Sequence, residues 1–187
     1  EAAAGVAVLA GKIRIFMAEG IPFWDSKFLN QLLRQQANLE LTAVYRLSAD
    51  RYFLVETDST RVAGASEPIF PEGAELAKYD LIIFGRGAEY FLNPERIQGL
   101  KHFVGEQGGC VVFARGKPYA GSFPELEPLE PAVWGELIDR PFQVRPTQEG
   151  EYAGLFGDLL PDRQAPIWGQ LAPLRQAQRC QRLKAFT

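Results

Sequence analysis

Apolar residues recur along the first two thirds of the chain in two rhythms, one of strands and one of helices. Lys12-Ile13-Arg14-Ile15-Phe16-Met17 predicts a strand, closed by Ala18-Glu19-Gly20 and the breaker Ile21-Pro22. Trp24, Phe28, Leu29, Leu32 and Leu33 then recur at helical spacing. They predict a helix with this apolar side in the core, and Asp25 or Ser26 as its cap. Leu39 to Leu47 (LELTAVYRL) predicts the next strand, and Arg51 to Glu56 an extra one inside a Ser48–Gly73 stretch that otherwise reads as loop. Upstream, Val6, Val8 and Leu9 suggest a short strand in an Ala- and Gly-rich segment.

The second half of the pattern is sharper. Leu81-Ile82-Ile83-Phe84 is wholly apolar and ends in Gly85-Arg86-Gly87, as a strand buried on both faces would. Asn93-Pro94 supplies an N-cap followed by proline at the first helical position. Ile97, Leu100, Phe103 and Val104 form the stripe of that helix, and Gly108-Gly109 stops it. Cys110 to Ala114 reads as another strand buried on both faces, ending in Arg115-Gly116-Lys117. Strands alternating with amphipathic helices imply an α/β domain with a mainly parallel sheet covered on both sides.

After Pro118 the signal weakens. Phe142 to Val144 suggests an edge strand, Leu155 to Leu160 a short helix, and Arg182 to Phe186 the start of a last strand. Glu125, Glu127, Glu130, Glu136 and Asp139 make one stretch acidic, and Arg175, Arg179, Arg182 and Lys184 make the end basic, which reads as two solvated faces packed near each other. The whole is expected to be one domain, residues 1–187, with its core at about 12–121 and an irregular proline-rich part at 122–187.

Composition excludes several functions. The formal charge of −3 argues against a general nucleic-acid binder, and no apolar run has the length of a membrane span. Cys110 and Cys180 are the two cysteines, and His102 is the one histidine. That leaves no disulfide framework and no metal-ligand spacing, so neither metal nor cofactor is expected. Cys110 is expected to be a buried apolar thiol and His102 to face solvent. A chain opening at Glu1, without Met or signal pattern, reads as a piece of a larger protein.

The strand to Glu19, then Gly20-x-Pro22-x-Trp24-Asp25-x-x-Phe28-Leu29 and LELTAVYRL, resembles the glutamine amidotransferase domains of large bacterial membrane-associated proteins, within the class I glutamine amidotransferase-like superfamily. The likeness continues through Phe70-Pro71, Tyr79-Asp80-Leu81-Ile82-Ile83, Pro94-Glu95-x-Ile97-x-x-Leu100-x-x-Phe103-Val104 and Gly108-Gly109. It implies a flavodoxin-like three-layer α/β/α sandwich, and by analogy the extracytoplasmic side of a bacterial membrane. Enzymes of that superfamily carry a Cys nucleophile in the turn directly after the strand that Cys110 to Ala114 resembles, with a His and a Glu from a later segment. Here the turn reads Arg115-Gly116-Lys117, Cys110 stands at the other end of the strand, and no His follows His102. Glutaminase chemistry is therefore not expected.

What remains is the rim at the carboxyl ends of the strands, where open parallel sheets bind ligands. Glu19 and Asp25 follow the first strand, Arg46 the second, Gly85, Arg86, Gly87 and Glu89 the third, and Arg115, Gly116 and Lys117 the fourth. Cations beside glycine turns suit a small anion, a carboxylate or phosphate. The rival reading pairs the arginines with Glu19, Asp25 or Glu89 as a structural network. Trp24 and Phe28 are expected in the core, while Tyr90 and Phe91 are expected over the rim or capping the sheet edge. Two functions follow. One is a non-catalytic amidotransferase-like module that senses a ligand or contacts neighbouring domains or a protein partner. The alternative is a hydrolase or amidotransferase-type enzyme with Glu19 or Asp25 as base at the strand ends. A flavodoxin or phospho-receiver domain fits worse, because the turn after the first strand lacks a phosphate loop and the acidic pair of a receiver.

Overall fold

The computed structural model describes residues 11–65, 68–114, 117, 119–121, 124–152 and 171–184. The strand expected at Val6–Leu9 and the helix at Leu155–Leu160 lie outside them, as does the end of the strand expected at Arg182–Phe186. The chain divides into two units, Glu1–Glu130 and Pro131–Thr187. The first holds strands β1 (Ile13–Glu19), β2 (Leu39–Arg46), β3 (Arg51–Glu56), β4 (Thr60–Gly64), β5 (Leu81–Phe84) and β6 (Cys110–Phe113). They form one sheet in the order β4-β3-β2-β1-β5-β6. β2, β1, β5 and β6 run parallel, and β3 and β4 add an antiparallel extension beside β2. The fold is α/β with a mainly parallel sheet, as the alternation of strand and helix implies. β4 corrects the expectation of loop after Glu56. Its sequence, TRVAG, offers one large apolar residue, and it lies mostly exposed at the sheet edge, so no period marks it.

Alternation along β1 builds both faces of the sheet. Phe16 and Ala18 point into one apolar cluster, and Ile15 and Met17 into the other. Helix α2 (Pro94–Gly105) covers the first cluster with Ile97, Leu100 and Phe103, all buried. Its start follows the sequence signal: the Asn93 side chain accepts the Arg96 backbone N–H at 2.8 Å, with Pro94 at the first position. Arg96 is a buried charge that the apolar pattern does not mark. Its guanidinium donates to the carbonyls of Phe91 and Pro68, each at 3.0 Å, and meets Glu72 Oε1 at 2.5 Å, tying the segment before β5 to the helix.

Helix α1 (Trp24–Arg34) corrects the sequence reading twice. Its N-cap is Phe23, whose ring cannot accept the orphan N–H groups, so neither Asp25 nor Ser26 caps it. And Trp24, Phe28 and Leu32 are not core: they are 70%, 57% and 56% exposed. The sheet side of α1 carries buried Ser26 and Asn30, with Leu29 and Leu33 packed against the second cluster. The reason is geometric. Trp24 and Leu33 stand about two and a half turns apart, so they lie on opposite sides of one helix. Leu29 and Leu33 serve the sheet, and the aromatic stripe is left outside.

β6 is also corrected. It is an edge strand with an alternating exposed and half-buried pattern, and Cys110 at its start is exposed. A strand with a neighbour on one side only lacks the cover that the run CVVF suggested. The second unit pairs β7 (Ala132–Phe142) antiparallel with β8 (Leu174–Leu183), beside a short helix α3 (Gln148–Tyr152). The acidic and basic stretches meet partly here, where Arg179 Nη1 lies 3.8 Å from Glu136 Oε1. Among the described residues, no helix is long and apolar enough to cross a membrane.

Candidate functional site

Strand order locates the crevice. From β1 the chain crosses to β2 on one side, and from β5 it crosses to β6 on the other, so the carboxyl ends of β1 and β5 flank the switch point of the sheet. Glu19 ends β1 there, and Gly85 follows β5. A cavity of about 100 Å³ lies at this point, lined by Met17, Glu19, Asp25, Leu29, Gly85 and Ala114. Three residues read from the sequence as rim candidates, Glu19, Asp25 and Gly85, are thus brought together.

Their arrangement differs from an anion cradle. Glu19 is fully buried, and its Oε1 accepts the Arg86 backbone N–H at 3.1 Å. Gly85 is glycine because a Cβ there would overlap the Glu19 carboxylate. Gly87 adopts φ +70°, which favours glycine, and its carbonyl approaches Gly20 so closely that a Cβ on Gly20 would collide with it. The glycines therefore bring the β1 and β5 turns together around a carboxylate of the protein itself. Next to Glu19, Tyr45 accepts a hydrogen bond from Asn30 Nδ2 at 3.2 Å. Burial pushes the Tyr45 phenol above its ordinary value; the Asn30 bond works against this and the Glu19 charge adds to it.

Among the described residues, the cations do not gather over this point. The Arg86 guanidinium lies over the Phe23 ring, 5.1 Å from its centre, and Arg46 lies over Tyr90 at 4.0 Å. Lys117 Nζ donates to its own loop, to the Gly121 carbonyl at 2.6 Å. Glu89 Oε2 accepts the Ala120 N–H at 3.3 Å. Arg115 and Gly116 lie outside the described residues. Tyr90 is partly exposed beneath Arg46, whereas Phe91 is fully buried in the α2-side core, so neither position is as simple as a pair over the rim.

His102 is exposed, as its place opposite the α2 stripe implies, and its Nδ1 lies 3.1 Å from Glu106 Oε2. Cys110 opens β6, at the end of the sheet away from Glu19. Compared with protein-family models, with curated proteins and with solved structures, the chain matches none. Among the described residues no group of three or more His, Cys, Asp and Glu could hold a metal ion. A wider hollow of about 410 Å³ at the other end of the sheet is lined by Lys12, Glu40, Thr42, Glu56, Asp58 and Ser59, among others. Its polar residues come from the start of β2 and the β3–β4 turn, elements whose meeting no local motif announces. The exposed side of α1, with Trp24, Phe28 and Leu32, is the second feature that sequence reasoning missed. Counting helical phase from Trp24 to Leu33 finds it.

Proposed function

We propose that this chain is a non-catalytic module of the class I glutamine amidotransferase-like type, layered as a flavodoxin-like α/β/α sandwich and acting by contact within a larger bacterial protein. The observation that carries the reading is the filled switch point. A cavity of about 100 Å³ accepts a few waters, against the roughly 300–1,000 Å³ of small-molecule sites, and the side chain that occupies the notch at Gly85 is Glu19. At the switch point the described residues leave too little room for a glutamine substrate. Cys110 opens its strand instead of following it, and His102 faces Glu106 in solvent, so a thiolate–imidazole pair has no support. Full burial of Glu19 likewise weighs against its use as a base on a bound substrate. The positive half of the reading, contact with neighbouring domains or a protein partner, rests on the exposed aromatic side of α1.

The test is ammonia release. Purified protein incubated with glutamine is expected to release none above a buffer blank. Turnover that disappears on Cys110→Ala overturns the proposal.

A further inference from the structure

We draw no further inference here: the strongest candidate, the exposed apolar side of helix α1 formed by Trp24, Phe28 and Leu32, carries none, because nothing in the structure shows what covers it.

Discussion

Helices α1 and α2 each link two parallel strands of one sheet, and each carries an apolar stripe, yet they turn opposite kinds of side toward it. α2 buries Ile97, Leu100 and Phe103 and leaves His102 outside. α1 buries Ser26 and Asn30 beside Leu29 and Leu33, and leaves Trp24, Phe28 and Leu32 outside. The difference begins at the sheet. On the α2 side, rings of Phe16, Phe70, Phe84 and Phe91 form a deep layer that accepts large side chains. On the α1 side, Tyr45 offers a buried hydroxyl that Asn30 satisfies, so a polar residue is drawn inward. An apolar stripe says that a helix has a face to bury; what lies across from it decides whether the sheet or another molecule buries it.

The largest expected effect separates the two stripes directly. Leu100→Ala, at a fully buried site, is expected to lower unfolding free energy by about 2–5 kcal/mol. Phe28→Ala, measured by urea denaturation, is expected to stay within about 0.5 kcal/mol of the parent. Comparable losses at both positions would put Phe28 in a core. The helix starts give a smaller contrast. Asn93→Ala removes the α2 cap and is expected to cost about 1 kcal/mol. Phe23 holds the extended N-cap conformation of α1 without a side-chain acceptor, so Phe23→Ser is expected to gain roughly 0.5–1 kcal/mol in the same denaturation assay. A loss there would mean that the Phe23 ring contributes more than a cap would.

Smallest is a pH effect beneath β1 and β5. The hydrogen bonds from Arg14 hold the Asp80 carboxyl below its ordinary value of 3.8. Asp80 therefore stabilises the fold above its unfolded value, and the contribution fades as pH falls through the lower folded one. Wild type is expected to exceed Asp80→Asn slightly in urea midpoint at neutral pH, the gap closing in acid. Both side chains are nearly half exposed, so screening keeps the gap small. A gap unchanged in acid would assign the effect to something other than the carboxylate charge.

The same contrast explains what was legible beforehand. LIIF and Asn93-Pro94 carry local signals strong enough to place β5 and the start of α2. The convergence of Glu19, Asp25 and Gly85 was legible because parallel strands bring their carboxyl ends to one rim. That Glu19 fills the Gly85 notch was not, since a side chain and a glycine more than sixty positions apart share no local pattern. The burial of Arg96 was not legible, because two of its partners are the carbonyls of Pro68 and Phe91, groups that no residue type advertises. β7 and β8 were met only at their ends, Phe142 and Arg182–Leu183, for a different reason. Two strands with little buried side have no period of 2 to read.

The central claim is that Trp24 stands on an outward face of α1 and not in the core. Its own fluorescence tests this most directly, with Trp134 and Trp168 replaced by Phe. At low micromolar concentration, Trp24 is expected to emit as tryptophan does in water and to be quenched freely by acrylamide. A Trp24 that is blue-shifted and protected from acrylamide would contradict the account.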